Sequence, residues 1–264
     1  MKPKALILQA YGSNRDFDVM EALTLAGAEA TGVPLNELLM KKTLLSDFQL
    51  LVVPGGFSYA DALGAGKLLA LDLASYFEDE IAAFVESRKP VIGICNGFQA
   101  LVKSGILPFR EKKEERRKNE PNATLTFNEQ GHFECRWVNL APVSQTCIWT
   151  KDLEDTITCP IAHGEGNFQT SELFPLSSFI EHDQVALTYV RPDSSPANGE
   201  YPINPNGSIL DIAGICNEQG NVLGLMPHPE NHIHAWQHPL HTRGESGGSG
   251  LKLFENGVKY ANQI

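Results

Sequence analysis

The chain has few cysteines, and they are not arranged for a disulfide framework or a metal site. Five cysteines occur among 264 residues, far apart and without C-x-x-C spacing. An odd number at wide spacing argues against a disulfide framework and favours a reducing cytosol. Four of them are most simply small residues at core or sheet positions: Cys135, Cys147, Cys159 and Cys216.

Long apolar runs are also absent. The first apolar stretch, residues 5–8, is too short for the core of a signal peptide. No run reaches the length of a membrane-spanning helix, because Gly or Pro interrupts each candidate. We therefore expect a cytoplasmic protein that does not bind membranes.

Positive charge is scarce relative to negative charge. Lys and Arg number 21 against 32 Asp and Glu, giving a formal net charge of −11 at pH 7, which argues against a general nucleic-acid binder. The sequence lacks the G-x-x-x-x-G-K-[ST] phosphate cradle, since the GAGK run at residues 64–67 is too short to form one. With 42% hydrophobic residues, the chain can still build a sizeable core.

Strand and helix patterns alternate over the first hundred residues. Strands are predicted at 5–9, 48–53 and 91–94, a helix at 16–31, and one or two helices within 67–87. Such alternation indicates the α/β class, with a parallel sheet and helices on both faces. Shorter strands are predicted at 133–140, 146–150, 156–161, 184–190, 208–216 and 221–226, before a closing helix at 251–261. No linker is evident, so we expect one domain over residues 1–264.

Two stretches carry no such pattern. Residues 110–120 are a dense run of mixed charges, which predicts a solvated loop or an exposed helix end. Residues 236–250 are rich in His, Gly and Ser, and we predict a mobile loop there.

The most informative feature is Cys95, which follows the predicted strand 91–94 and precedes a helical pattern. Gly93 and Gly97 flank it, as in a nucleophile elbow with Cys in place of Ser. A helix that begins after Cys95 directs its free N–H groups at the sulfur, where they stabilise a thiolate and can bind an oxyanion. The alternative is a small buried cysteine at the end of a core strand.

A partner base lies in the segment MPHPE at residues 226–230. Each proline keeps the preceding residue out of a helix, and an extended chain projects His228 and Glu230 to the same side. The carboxylate can then orient the imidazole, which takes a proton from the thiol. Cys95, His228 and Glu230 thus form a candidate catalytic triad. The alternative is a surface loop with an ordinary histidine.

A metal protein is a rival interpretation, because histidine is the commonest transition-metal ligand. Five histidines crowd near Glu230: His228, His232, His234, His238 and His241. Pro229 and Pro239 prevent one continuous helix there, and no second cluster supplies further ligands. We therefore predict no metal in this chain.

A different cysteine hydrolase, such as a stand-alone amidase or γ-glutamyl hydrolase, is a second rival, and a non-enzymatic regulatory module is the least favoured.

Several longer strings extend the pattern through nearly the whole chain. They are GSN at 12–14, PGGFSYAD at 54–61, GICNGFQ at 93–99, AHGEGNF at 162–168, and the region 204–230. Together they resemble the class I (triad) glutamine amidotransferases, and within them the amidotransferase subunits of phosphoribosylformylglycinamidine synthase. The resemblance implies a flavodoxin-like three-layer fold, with a mostly parallel central sheet, helices on both faces and extra short strands in the second half.

The resemblance also implies roles for residues. Cys95 would attack the side-chain amide of L-glutamine, with His228 as general base and then acid and Glu230 orienting it. The N–H groups of Gly56 and Asn96 would form the oxyanion hole. Further implied contacts are those of Gln99, Asn167 and Phe168 with the substrate. His163 and Glu165 could form a second catalytic-looking pair, but because they lie two positions apart in a Gly-rich turn we expect them to shape a loop or to contact the partner subunit. Before the resemblance, Gln99 could equally face solvent.

The resemblance further implies partners. Ammonia would pass to a large synthetase subunit, which would use ATP and Mg²⁺ and bind formylglycinamide ribonucleotide, and a small third subunit would bridge the two. The basic run at 112–118 could assist docking. The chain departs from the expected pattern at Arg15, where many relatives have Cys, in the length of the 110–120 segment, and at Asn231, where Arg is common.

Overall fold

The computed structural model describes residues 2–108, 123–171, 176–245 and 248–264. The predicted loop at 110–120 and the basic run at 112–118 lie outside the described residues. The strands are β1 Lys4–Gln9, β2 Glu29–Pro34, β3 Leu50–Val53, β4 Val91–Ile94, β5 Ala123–Thr126, β6 Glu134–Pro142, β7 Ile157–His163, β8 Asn167–Thr170, β9 Val185–Val190, β10 Ile212–Cys216 and β11 Val222–Leu225.

Helices alternate with the strands of the first half, as the sequence predicts. The helices are α1 Asp16–Leu25, α2 Leu35–Leu39, α3 Lys67–Tyr76, α4 Glu78–Glu86, α5 Asn96–Lys103, α6 Leu176–Glu181 and α7 Leu251–Ala261. Helix α1 contacts α7, while α3 contacts both α4 and α5, so two groups of helices flank the sheet. Within the described ranges, no helix has the length and apolar character needed to cross a bilayer.

In the described part of the chain, nine strands form one sheet in the order β2-β1-β3-β4-β11-β10-β9-β6-β7. The pairs from β2 to β11 are parallel. Those from β11 to β7 are antiparallel. The α/β prediction with a parallel sheet is therefore confirmed, and the shorter strands of the second half extend that sheet. Strands β5 and β8 form a separate antiparallel pair.

The centre of the sheet determines where the candidate residues meet. Strands β3, β4 and β11 are neighbours, run parallel and consist entirely of buried residues. Residues 54–66 follow β3, Cys95 follows β4, and His228 lies three residues beyond the end of β11. Because the carboxyl ends of parallel strands share one edge of a sheet, these three segments converge there.

The predicted helix at 16–31 is wrong beyond Leu25. Gly27 has a φ of 100°, a left-handed conformation that glycine adopts without strain and that ends the helical turn. The chain then forms β2, which pairs parallel with β1. The 67–87 region divides into α3 and α4, because Phe77 between them has a non-helical φ of −128°.

The predicted strand at 146–150 is also wrong. The N–H groups of Thr146 and Cys147 donate to the Ser144 hydroxyl at 3.1 and 3.0 Å, and Thr146 also donates to the Asp183 carboxylate at 2.7 Å. These side chains satisfy the backbone donors that a strand would pair in a ladder. Trp149 belongs to this turn, and its side chain is fully buried. Five elements of the described residues were not predicted: β2, α2, α6, β5 and β8.

Replacing Gly257 by Ala tests how closely α7 packs on Trp149. In a helix interior this change is normally favourable by about 0.5–1 kcal/mol, but here the added methyl group would overlap the buried indole ring. We expect the free energy of unfolding in urea to fall by about 1–3 kcal/mol. The exposed neighbour Glu255→Ala should change it by less than about 0.5 kcal/mol. A Gly257→Ala protein as stable as the unchanged chain would contradict this packing.

Candidate active site

Cys95 occupies the sharp turn between β4 and α5. Its φ of 51° and ψ of −106° are strained for a residue with a side chain. A Cβ atom on Gly97 would overlap the carbonyl oxygen of Val53, so only glycine allows α5 to approach β3 this closely. The strand–turn–helix arrangement predicted from the sequence is therefore present, with the sulfur at the N-terminus of α5.

His228 and Glu230 form a buried pair at the end of β11. The Nδ1–H of His228 donates to Oε1 of Glu230 at 2.7 Å, and the two side chains are 3% and 0% exposed. The backbone N–H of His228 donates to the carbonyl of Pro160 at 2.8 Å, which fixes the residue against β7. Since Nδ1 faces the carboxylate, Nε2 is left for the nucleophile.

The sequence could not show that Cys95 and His228 meet, but the structure brings the sulfur close enough to the imidazole to shift its pKa. Burial alone would lower the pKa of His228. The negative charges of Glu230 and Cys95, together with hydrogen bonds to both, outweigh burial and raise this pKa to about 10. The site therefore favours an imidazolium at His228, beside the sulfur of the candidate nucleophile.

The predicted oxyanion hole lies between the segment after β3 and the start of α5. We call residues 54–66 the Gly56 loop. Gly56 has a φ of 133°, and a Cβ atom there would lie 2.7 Å from the backbone nitrogen of Asn14. Asn96 is the first residue of α5, so its N–H has no partner within the helix. Its side-chain oxygen accepts bonds from the N–H and hydroxyl of Ser58, at 3.1 and 2.5 Å.

A cavity of about 300 Å³ opens beside the sulfur. It is lined by Gly56, Phe57, Asp61, Ala65, Cys95, Gln99, Phe127, Gly131, His132, Phe133, Ala162, His163, Gly164 and Glu165. The cavity is thus bounded by the predicted nucleophile, one predicted oxyanion residue and one predicted substrate residue. It contains both apolar rings and polar groups, as small-molecule sites do.

Gln99 faces this cavity and is buried rather than exposed to solvent. Its Nε2 donates to the backbone oxygen of Glu165 at 2.6 Å, and its Oε1 accepts from Nδ2 of Asn96 at 3.1 Å. These two contacts fix the orientation of the amide. The structure therefore places Gln99 at the cavity, and its contact with a substrate stays a prediction.

Asn167 and Phe168 are not brought to the cavity. Phe168 is 1% exposed and stacks on Phe98, with ring centroids 6.4 Å apart. The Asn167 side chain accepts a bond from Gln169 at 2.7 Å. Neither residue lines the cavity. The predicted substrate contacts of these two residues are therefore not supported by the geometry, which instead gives Phe168 a packing role.

His163 is buried next to the triad and held by Asn128. Both hydrogens of Asn128 Nδ2 go to carbonyl oxygens, those of His132 and His163, at 3.0 and 2.9 Å. Its Oδ1 must therefore accept, so His163 carries its proton on Nδ1, 3.1 Å away. Burial, and then the nearby His228, lower the pKa of His163 to about 3, so the ring is neutral. Because His163 is only 3% exposed, it offers little surface for the predicted partner contact.

Three of the four histidines after Glu230 make hydrogen bonds to groups elsewhere in the protein. Nδ1 of His232 bonds to the carbonyl of Thr158, Nε2 of His234 lies 2.9 Å from Glu21, and Nδ1 of His238 accepts from the Leu240 N–H at 3.2 Å. Across the described ranges, no three His, Cys, Asp or Glu side chains converge as metal ligands do.

Arg15 and Asn231, the two residues that differ from the expected family pattern, contact the same carboxylate. Arg15 Nη1 and Asn231 Nδ2 each lie 3.1 Å from Oδ2 of Asp18. Asp18 on α1 therefore connects the residue after Glu230 with the loop before the helix. Sequence patterns gave no signal for the contact of Asn231 with Asp18, nor for that of Asn128 with His163, because these partners are far apart in the chain.

Comparison with known proteins places the chain among amidotransferases. Residues 2–261 match the family described as "CobB/CobQ-like glutamine amidotransferase domain". A protein of Treponema denticola called phosphoribosylformylglycinamidine synthase subunit PurQ is 55% identical, over 98% of this chain and 99% of its own length. The subunit of the same name from Dehalococcoides mccartyi is 43% identical, over 100% and 99%.

Solved structures agree with the sequence relatives. A chain in the structure of PurLQS from Thermotoga maritima matches with a TM-score of 0.73 and 32% identity, covering 98% of this chain and 99% of that one. A glutamine amidotransferase from the same organism shares the fold, with a TM-score of 0.54, 14% identity and full coverage of both chains. The chain therefore belongs to the CobB/CobQ-like glutamine amidotransferase family.

Proposed function

We propose that this glutamine amidotransferase is the glutaminase subunit of a phosphoribosylformylglycinamidine synthase. The observation that carries the proposal is the contact of Cys95, His228 and Glu230 at one edge of the sheet, beside a cavity that includes Gly56 and Gln99. The relatives at 55% and 43% identity carry the name of that subunit over essentially their full length. A stand-alone cysteine amidase or γ-glutamyl hydrolase is the alternative, which these relatives do not favour.

The geometry supports a two-step hydrolysis. The thiolate of Cys95 attacks the amide carbon of L-glutamine, and the N–H groups of Gly56 and Asn96 bind the resulting oxyanion. His228 gives its Nε2 proton to the leaving nitrogen, which departs as ammonia and leaves a γ-glutamyl thioester. His228 then takes a proton from water as the water attacks the thioester, and glutamate leaves with Cys95 restored.

This reaction balances with the triad and one water molecule, so we propose that the chain itself uses no cofactor. The ammonia passes to a large synthetase subunit, which uses ATP and Mg²⁺ to convert formylglycinamide ribonucleotide to formylglycinamidine ribonucleotide in purine biosynthesis. A small accessory subunit completes the complex. The matching Thermotoga structure is an assembly called PurLQS, which supports such partners. We propose that the complex works in the cytoplasm, without nucleic acid or membrane.

The rim of the cavity suits a partner surface. Phe57, Phe127 and Phe133 line the cavity yet are 47%, 70% and 50% exposed. Large apolar side chains grouped around a site favour burial by another protein. A subunit docked there would cover the cavity and receive ammonia before it reaches solvent.

Replacing Cys95 by Ala tests the nucleophile. We expect glutamine hydrolysis to fall by at least about a thousandfold, because no other group can form the thioester. Thermal unfolding should change little, and glutamine should still bind. The exposed Cys135→Ala is the matched control and should keep its rate. Hydrolysis that persists in Cys95→Ala would remove the proposed mechanism.

Replacing Glu230 by Gln tests the charge that supports His228. The carboxylate raises the pKa of His228, so its removal lowers this pKa, and the imidazolium loses its proton at a lower pH. We expect the alkaline limb of the pH–rate profile to move to lower pH, with a smaller kcat.

The matched control is Glu21→Gln, which removes the carboxylate of another Glu–His pair, with His234, outside the triad. Its profile should coincide with that of the unchanged chain. An alkaline limb that stays in place in Glu230→Gln would show that Glu230 does not set the protonation of His228.

A further inference from the structure

The Gly56 loop is held in a conformation that its sequence alone does not favour. Four of its non-glycine residues have a positive φ, between 52° and 65°: Tyr59, Ala60, Asp61 and Leu63. Residues with a side chain adopt this left-handed region only when surrounding contacts compensate the strain. The position of Gly56 therefore depends on the contacts that hold the rest of this loop.

The far end of the loop is held by two charged side chains from other parts of the chain. The N–H of Ala65 donates to both carboxylate oxygens of Glu165, at 3.2 and 3.3 Å. The ammonium of Lys103, on the last turn of α5, donates to the carbonyl of Ala65 at 2.5 Å and lies 3.4 Å from Glu165. The backbone N–H and carbonyl of Ala65 are thus both bound by one ion pair, whose two side chains are only 18–20% exposed.

These contacts continue into the site. The backbone oxygen of Glu165 accepts from Gln99, whose Oε1 accepts from Asn96. Asn96 in turn donates to the Asp61 carboxylate at 2.8 Å, back in the Gly56 loop. Together with the backbone between Asp61 and Ala65, these hydrogen bonds form a closed circuit that includes the residue after the nucleophile, the cavity-facing amide and the second half of the loop.

We propose that Glu165 and Lys103 are positioning residues for glutamine hydrolysis, which hold the Ala65 peptide so that the Gly56 loop and Gln99 keep their places beside Cys95. This inference rests on the proposed function. It gives Glu165 a role in the active site of this chain, whereas the sequence analysis predicted that Glu165 shapes a loop or contacts the partner subunit. Charged hydrogen bonds suit this task because they are stronger and more directional than neutral ones.

The test compares Glu165→Ala and Lys103→Met in the full chain, alone and with the synthetase subunit. We expect kcat/KM for glutamine to fall at least about tenfold in each, because small displacements of catalytic groups cost this much. In the double variant kcat/KM should fall by about as much as in either single variant, since each substitution already disrupts the same set of contacts with Ala65. The exposed Lys252→Met, which breaks an ion pair with Asp155, is the matched control and should keep its rate.

A second readout separates positioning from collapse of the site. Iodoacetamide alkylates a thiolate without needing an oxyanion hole or Gln99, so the alkylation rate of Cys95, followed by mass spectrometry, should stay within about twofold of the unchanged chain. An alkylation rate that falls together with kcat/KM would overturn the proposal in favour of a general structural role. So would losses that multiply in the double variant, or a loss seen only with the synthetase subunit.

Glu165→Gln keeps the test decisive if Glu165→Ala does not fold. The amide oxygen can still accept from Ala65, but the ion pair with Lys103 is lost, so we expect a smaller fall in kcat/KM than for Ala. A Glu165→Gln rate equal to that of the unchanged chain, with Lys103→Met also unaffected, would overturn the proposal. An unchanged chain that hydrolyses no glutamine, alone or with the synthetase subunit, would instead refute the proposed function.

Discussion

The parallel placement of β3, β4 and β11 at the centre of the sheet is the constraint on which the site depends. Each strand ends in a segment that carries one part of the proposed chemistry: the Gly56 loop, Cys95, and the turn with His228. No local interaction brings these segments together, since more than a hundred residues separate Cys95 from His228. The register of the sheet does so, because Gly93 pairs with both Val53 and Gly224.

Two buried histidines near the nucleophile have opposite protonation states. Burial favours the neutral form of both, and only His228 has a carboxylate and the sulfur beside it to reverse that preference. His163 has neutral partners and stays uncharged, which avoids repulsion next to the imidazolium. Environments that move the pKa values of neighbouring groups apart are typical of catalytic sites.

Local sequence patterns predicted the elements and residues whose causes are local. The elbow at Cys95 follows from its flanking glycines, and the His228–Glu230 pair from the surrounding prolines. The predictions failed where contacts with distant residues determine the local structure. The 146–150 segment is a turn because Ser144 and Asp183 bind its backbone. The burial of Phe168 and the contacts of Lys103 with Ala65 depend on elements far away in the chain, which no local pattern specifies.

The most direct test of the account is the rate of glutamine hydrolysis by the purified chain, measured alone and then with the synthetase subunit, ATP and formylglycinamide ribonucleotide. The account predicts a low rate for the chain alone, and a marked rise when all three are added, because in the proposed complex the partner covers the rim of the cavity. A full rate alone, with no response to the partner and its substrates, would contradict it and favour a stand-alone hydrolase.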